Sequence, residues 1–191
     1  IIPAVHVVAE LERCGKAGIK AAVIMSSGFA EEPGGEGARM QSEIAAIARR
    51  YDMAVTGPNS EGYANIAASL CPTFSPALDK NAGAIRPTQA IGGGQVSVIS
   101  QSGGAGFAFF DRARPRDLTF RCVVTTGNEA ALDVTDVLEF LIDEGGTDVF
   151  LLLVEDVKQP EKFKRVADKA LKTGKPLIIG KIGQSEPGSR A

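Results

Sequence analysis

The residues Gln101, Ser102, Gly103 and Gly104 follow an apolar run and precede a stretch of small and aromatic residues. This order predicts a strand that leads directly into a helix N-terminus. The first turn of a helix carries unpaired N–H groups and the positive end of the peptide dipoles, so such a junction can bind an anion such as phosphate. The alternative is that the glycines serve only to let the helix pack closely on its strand.

Further polar residues also follow predicted strands. They are Ser27, Gly28, Asn59, Ser60, Gly127, Asn128 and Glu155. In parallel α/β sheets, ligands bind at the carboxyl ends of the strands, where loops meet helix N-termini. The shared position therefore indicates one binding region. Two of these residues have a simpler alternative: Asn128 could be a turn residue with a positive φ, and Glu155 could simply face water. At the start of the next helix, capping could explain both Asp133 and Asp136.

The composition argues against several classes of partner. The chain has 191 residues and a net charge of -2, which provides no basic surface for nucleic acid or for an anionic membrane. Its apolar runs are far shorter than the ~20 residues that cross a bilayer. Cys14, Cys71 and Cys122 are widely spaced and only one histidine is present, which does not favour a metal site. We expect a cytoplasmic protein without a bound metal, with reduced and mostly buried thiols.

Apolar periodicity predicts an alternation of helices and strands. The predicted helices cover residues 4–17, 36–51, 103–113, 133–144 and 160–173, and the predicted strands cover 20–25, 53–56, 95–100, 118–124, 148–154 and 176–181. Parallel strands need crossover helices of this kind. The predicted fold class is therefore α/β, with a partial Rossmann-type unit followed by a flavodoxin-like parallel sheet.

The middle of the chain interrupts this pattern. Residues 57–94 contain four prolines and no sustained period, which predicts a long connection with two short strands. We accordingly predict a first domain over 1–75, a linker over 76–94 and a second domain over 95–191. Both ends of the chain resemble cuts through a longer protein.

Five motifs follow one another in a distinctive order. They are Ser27-Gly28-Phe29-Ala30-Glu31, Gly57-Pro58-Asn59-Ser60-Glu61-Gly62, Ser100-Gln101-Ser102-Gly103, Thr126-Gly127-Asn128-Glu129 and Gly183-Gln184-Ser185-Glu186-Pro187-Gly188-Ser189-Arg190-Ala191. The series resembles the NDP-forming acyl-CoA synthetases, a superfamily that includes the alpha side of succinyl-CoA synthetase and the ADP-forming acetate:CoA ligases. The likeness to the acetate:CoA ligase branch extends over essentially the whole chain.

The resemblance implies an enzyme that forms acyl-CoA from a small carboxylic acid, CoA and ATP, through an acyl phosphate and a phosphohistidine. Ile2 and Pro3 would contact the CoA nucleotide, Ser27 and Gly28 would belong to the same CoA-binding half, and the loop with Asn59 and Ser60 would lie near the CoA thiol. Many relatives carry cysteine at the position of Ser60, so a thiol role is absent here.

The resemblance also assigns the phosphate-handling residues. It implies that Gln101, Ser102, Gly103 and Gly104 hold the phosphoryl group, and the position of Gly127 and Asn128 on a loop at a strand end predicts that they shape the same phosphate pocket. Glu155 matches the carboxylate that pairs with the catalytic histidine, where it would orient the imidazole and stabilise its cation. His6 does not match that histidine, which we expect shortly after the Gly-x-Ser-Glu-x-Gly-x-x-Ala segment, beyond residue 191.

A beta-like ATP-grasp domain or subunit, which would bind ATP or ADP with Mg²⁺, is implied as the partner of such a fragment. One alternative is a CoA-binding regulatory or sensor module that lacks the catalytic histidine. A second alternative is a flavodoxin-like nucleotide binder unrelated to CoA.

Overall fold

A computed structural model describes residues 1–32, 34–78, 95–116 and 118–182. The first unit alternates helices and strands as predicted: α1 (Ala4–Lys16), β1 (Ala21–Val23), α2 (Glu36–Tyr51) and β2 (Ala54–Thr56). The two strands pair in parallel, with Ala22 opposite Val55. The buried faces of α1 and α2 supply the core of this unit through Val7, Leu11 and Ile44, because apolar residues at helical spacing bury one stripe of each helix.

The second unit is a five-stranded sheet with helices. Its elements are β3 (Tyr63–Asn65), β4 (Val96–Ser100), α3 (Gly103–Ala113), β5 (Phe120–Thr125), α4 (Val134–Glu144), β6 (Val149–Val154), α5 (Pro160–Lys172) and β7 (Leu177–Lys181). The strand order is β3-β5-β4-β6-β7, and β5, β4, β6 and β7 are parallel. The predicted α/β class and flavodoxin-like sheet are confirmed.

The edge strand β3 differs from the sequence-based expectation. It pairs antiparallel with β5, with Ala64 opposite Val123, so the chain joins the second sheet well before residue 75. A strand of three residues is too short to show a period, and its pairing depends on β5, far along the chain. The domain boundary at residue 75 stays a prediction, and the part of the predicted linker over 79–94 lies outside the described residues.

Helices cover both faces of the larger sheet. On one face, Leu138 of α4 and Val166 of α5 pack with Phe150 of β6. On the other face, α3 buries Phe110 against Phe120, with the two rings edge to face at 5.1 Å between centroids. Burial on both faces explains why the central strands consist of nearly continuous apolar runs.

The carboxyl ends of three neighbouring strands open at one edge of this sheet. Gln101 follows β4, Thr126 follows β5 and Glu155 follows β6. Backbone hydrogen bonds extend the pairing beyond the strands, from Thr126 N–H to Ser100 O at 2.8 Å and from Gln101 N–H to Leu153 O at 3.0 Å. The loops that carry the predicted site residues therefore start from fixed positions.

The packing of α4 can be tested with two truncations on the same helix. Leu138 is fully buried, whereas the Phe140 side chain is 66% exposed. We expect Leu138→Ala to lower the free energy of unfolding by about 2–5 kcal/mol, because it leaves a cavity in the core. Phe140→Ala should change it by less than about 0.5 kcal/mol. Urea denaturation measures both, and equal effects would contradict this packing.

Candidate functional site

The structure brings nine of the predicted site residues to one cavity of about 340 Å³. They are Asn59, Ser60, Gln101, Ser102, Gly103, Gly104, Gly127, Asn128 and Glu155. The sequence analysis did not single out Met25, Glu61 or Phe74, which complete the wall. Glu61 stands inside the Gly57–Gly62 motif, and its position directly after Ser60 was the signal that could have identified it.

The N-terminus of α3 forms one wall of the cavity. Ser102 is the N-cap residue, and its hydroxyl accepts a hydrogen bond from Ala105 N–H at 3.4 Å. The N–H groups of Gly103 and Gly104 have no hydrogen-bond partner within the described residues. A Cβ atom at Gly104 would meet nothing within 4 Å, so the space beside Gly104 is open, whereas Glu61 lies beside Gly103. Two free N–H groups at the positive end of a helix form a site for an anion.

Two loops from different sheets meet at the cavity through their backbones. Asn128 N–H donates to Pro58 O at 2.9 Å, and Ala130 N–H donates to Gly57 O at 2.9 Å. Gly127 has a φ of +60°, and a Cβ there would lie 2.2 Å from Pro58 O. Only glycine allows this approach, so the residue has a structural reason to be glycine besides any ligand.

The two asparagines of the cavity contact each other. Asn59 Nδ2 donates to Asn128 Oδ1 at 3.3 Å, and Asn128 Nδ2 donates to Gln41 Oε1 at 3.0 Å and to the Glu31 carboxylate. The positive-φ explanation for Asn128 is wrong, because the left-handed conformation lies at the next residue, Glu129, with a φ of +57°. Asn128 connects the two loops instead.

Ser60 is buried, and its hydroxyl is used inside the protein. It donates to Thr125 O at 2.7 Å and accepts a hydrogen bond from Gly62 N–H at 2.9 Å. Because both its donor and an acceptor site are occupied, the side chain holds the 57–62 loop to the end of β5.

The side chain of Gln101 is also fully used in internal hydrogen bonds. Its Oε1 accepts from Glu155 N–H at 2.6 Å and from Asp156 N–H at 3.0 Å. Its Nε2 donates to Asp156 O at 2.8 Å and to Glu129 Oε2 at 2.9 Å. The backbone N–H donates to Leu153 O, so no donor of this residue is left for a phosphate. Gln101 instead joins the start of α3 to the loop after β6.

Glu129 is a buried carboxylate that the sequence analysis missed. Its Oε1 accepts hydrogen bonds from Thr126 Oγ1 and from Val134 N–H, both at 2.9 Å. Lys158 Nζ lies 3.9 Å from Oε2. Burial raises the pKa of Glu129, although these hydrogen bonds and the Lys158 charge act to lower it. In the sequence, a single glutamate after Gly127-Asn128 gives no sign that it is buried.

Glu155 and Glu61 supply the carboxylates of the cavity wall. Glu155 is exposed, and among the described residues no hydrogen bond or ion pair involves its carboxylate. Glu61 is half-buried, and its Oε2 lies 3.0 Å from the place where a Cβ at Gly103 would be. An unpaired, accessible carboxylate can orient and charge-stabilise an incoming imidazole.

The remaining four predicted residues lie outside this cavity, in two adjoining segments. Ile2 and Pro3 precede α1, where Ile2 O accepts a hydrogen bond from Ser26 Oγ. Ser27 and Gly28 follow β1, and Gly28 N–H donates to Glu31 Oε1 at 2.6 Å. Partial burial acts to raise the pKa of Glu31, but hydrogen bonds from Asn128 and from backbone N–H groups outweigh it and lower that pKa.

Capping does explain both aspartates at the start of α4. Asp133 Oδ1 accepts hydrogen bonds from Thr135 N–H and Asp136 N–H, and Asp136 Oδ2 accepts from Asp133 N–H. This reciprocal arrangement is a capping box.

The described part of the chain contains no group of three or more His, Cys, Asp or Glu side chains that could hold a metal ion. None of its helices is both long and apolar enough to span a membrane.

The cysteines differ in exposure, contrary to the expectation of mostly buried thiols. Cys122 is buried, which raises the pKa of its thiol to about 11, whereas Cys71 is exposed. The predicted motif over 183–191 lies outside the described residues.

Comparison with known families identifies the second unit. Residues 93–191 match the model of the succinyl-CoA ligase like flavodoxin domain. The chain belongs to this family. This succinyl-CoA ligase-like chain is 35% identical over 191 residues to the acetate–CoA ligase [ADP-forming] I of Archaeoglobus fulgidus and covers 26% of that protein. It is 36% identical to the acetate–CoA ligase [ADP-forming] I subunit alpha of Pyrococcus furiosus and covers 38% of that subunit.

A solved structure has the same fold as this succinyl-CoA ligase-like chain. It is the dinucleotide forming acetyl-coenzyme A synthetase 1 of Ca. Korarchaeum cryptofilum in complex with phosphate and ADP. The TM-score is 0.82 at 32% identity, and the match covers 99% of this chain and 38% of that one. The chain therefore spans well under half of the proteins that it resembles.

The close contact between the two loops predicts a difference between two glycine substitutions. Gly127 and Gly174 have φ values of +60° and +70°, but a Cβ at Gly174 would meet nothing within 4 Å. Gly174→Ala should therefore cost only the conformational strain, about 1–2 kcal/mol. Gly127→Ala should lower the free energy of unfolding by more, because the new methyl overlaps Pro58 O. Chemical denaturation compares them, and equal losses would refute the close approach.

Proposed function

We propose that this chain forms the CoA-binding and phosphate-handling part of an ADP-forming acyl-CoA synthetase of the acetate:CoA ligase type. The observation that carries the proposal is that one cavity is lined by Gly103, Gly104 and Glu155, whose N–H groups and carboxylate have no partner among the described residues. An anion site beside a carboxylate suits a phosphoryl group that passes to and from a histidine. The named ligases among the similar proteins support the same activity.

Within this proposal, α3 binds the phosphoryl group through the N–H groups of Gly103 and Gly104. Gly127 and Asn128 shape the opposite side of the pocket, while Gln101 and Ser102 fix the helix start. Glu155 pairs with a catalytic histidine that the family resemblance assigns to the part of the protein after residue 191.

The CoA side of the site is proposed from the resemblance. Ile2, Pro3, Ser27 and Gly28 would hold CoA beside the cavity, with Asn59 and Ser60 nearer its thiol, which receives the acyl group. The donor chemistry fits in part: Asn59 presents an amide to the cavity, whereas Ser60 can contribute only through its backbone because its hydroxyl is occupied.

The complete reaction needs components that we propose outside this chain. A beta-like ATP-grasp domain or subunit would bind ATP or ADP with Mg²⁺, and a small carboxylic acid would enter the cavity. We place the enzyme in the cytoplasm. A CoA-binding regulatory module is not favoured, because the similar curated proteins are named as ligases.

The anion site predicts opposite effects of one substitution on stability and on phosphate binding. Gly104→Asp places a carboxylate at the start of α3, where its interaction with the helix dipole should stabilise the fold by about 0.3–1 kcal/mol. The same charge should weaken the binding of inorganic phosphate by about ten-fold or more through repulsion. Calorimetric titration with phosphate tests this, and Gly104→Asn is the size-matched neutral control. Equal phosphate affinity of both variants would reject the site.

The role of Glu155 predicts a loss of ligase activity without a loss of folding. In the enzyme assembled with its ATP-grasp partner, Glu155→Gln should lower kcat for ADP formation by about 10–100-fold, as when a histidine loses its orienting carboxylate. Asp168→Asn, an exposed change on α5, should leave kcat unchanged. Coupled measurement of ADP release with acetate and CoA decides this. Full activity of Glu155→Gln would remove Glu155 from the proposed mechanism.

A further inference from the structure

Two buried polar side chains link the loops of the cavity to each other. Gln101 is 9% exposed and Glu129 is 5% exposed, and neither side chain is free to bind a ligand directly. Gln101 directly precedes Ser102, the N-cap of α3. Glu129 directly follows Asn128, which lines the cavity. Their hydrogen bond at 2.9 Å joins the end of β4 to the end of β5.

The orientation of the Gln101 amide is determined by its acceptors. Nε2 donates to Glu129 Oε2 and to Asp156 O, so Oε1 must face the N–H groups of Glu155 and Asp156. If the amide were reversed, its oxygen would face two acceptors and its nitrogen would face two donors. A carboxylate at position 129 accepts only, and therefore allows one orientation of the amide.

Glu129 is itself held in place from three sides. Thr126 Oγ1 and Val134 N–H donate to Oε1, and Lys158 lies 3.9 Å from Oε2. Lys158 Nζ also donates to Asn128 O at 2.6 Å and Glu129 O at 2.9 Å. The carboxylate thus connects the N-terminus of α4 and the Asn128 loop to Gln101.

We propose that Glu129 is a positioning residue for the ligase reaction, acting through Gln101 to hold the Glu155 backbone at a fixed distance from the N-terminus of α3. This inference rests on the proposed function. The Glu155 carboxylate lies in the loop after β6 and the Gly103 and Gly104 N–H groups lie at the start of α3, and Gln101 joins the two because it directly precedes the N-cap of α3 and binds the Glu155 backbone. An amide at position 129 would turn its NH2 group either towards Gln101 Nε2 or towards the Thr126 and Val134 donors, so Gln101 or residue 129 itself would lose its anchor.

The test compares Glu129→Gln with wild type in the enzyme assembled with its ATP-grasp partner. We expect kcat to fall by about ten-fold or more, because a small displacement of reacting groups is costly. The KM for CoA should stay within about two-fold, since the contact does not touch CoA. Amide hydrogen exchange at Glu155 and Asp156 should become faster.

The matched control is Thr147→Val. Thr147 Oγ1 lies 2.7 Å from Ser97 Oγ, and both residues are fully buried. Ser97 lies in β4 and Thr147 precedes β6, and neither lines the cavity. Thr147→Val should lower the Tm without changing kcat or the exchange at Glu155. An unchanged kcat in folded Glu129→Gln would overturn the proposal, as would an equal loss of kcat in Thr147→Val.

The exchange measurement separates this inference from the proposed function. If wild type shows no ligase activity with any acid, the proposed function fails, and exchange alone decides whether Glu129 positions the Glu155 loop. Unchanged exchange at Glu155 and Asp156 in Glu129→Gln would then overturn the positioning role. Faster exchange in that variant alone would support it.

Discussion

The backbone contact between the loop after β2 and the loop after β5 is the constraint on which the site depends. Gly57 N–H donates to Thr126 O at 3.2 Å, and Leu132 N–H donates to Val55 O at 3.1 Å on the other side of the contact. Buried backbone groups need such partners, so two separate sheets are held in one arrangement. The cavity exists because these two loops and α3 meet there.

The electrostatics of the cavity follow from that arrangement. The N–H groups of Gly103 and Gly104, which have no partner in the part of the chain that the structure describes, would attract an anion, while Glu61 and Glu155 place negative charge in the same cavity. A phosphoryl group bound there would be held by the helix and repelled by nearby carboxylates. Such a balance suits a group that must be bound and then passed on, because a tightly held intermediate would not be released.

Much of the fold could be predicted because the information is local. The apolar face of α2 and the runs of β4 and β6 are visible within a few residues, and their predicted bounds agree with the structure to within about two residues, the usual uncertainty of element ends. The polar residues after these strands were also predicted to lie together, since parallel strands end at one sheet edge. Nine of them line one cavity.

What the sequence determined by itself was the alternation of elements, the glycine-rich start of α3 and the edge at which polar residues gather. The tertiary structure decided the rest: the antiparallel pairing of β3, the internal use of the Ser60 and Gln101 side chains, and the burial of Glu129. These features depend on contacts between residues that are far apart in the chain, such as Gln101 with Glu155. Residue type and spacing give the hydrogen-bonding capacity of a side chain, but only the folded chain determines which partner uses it.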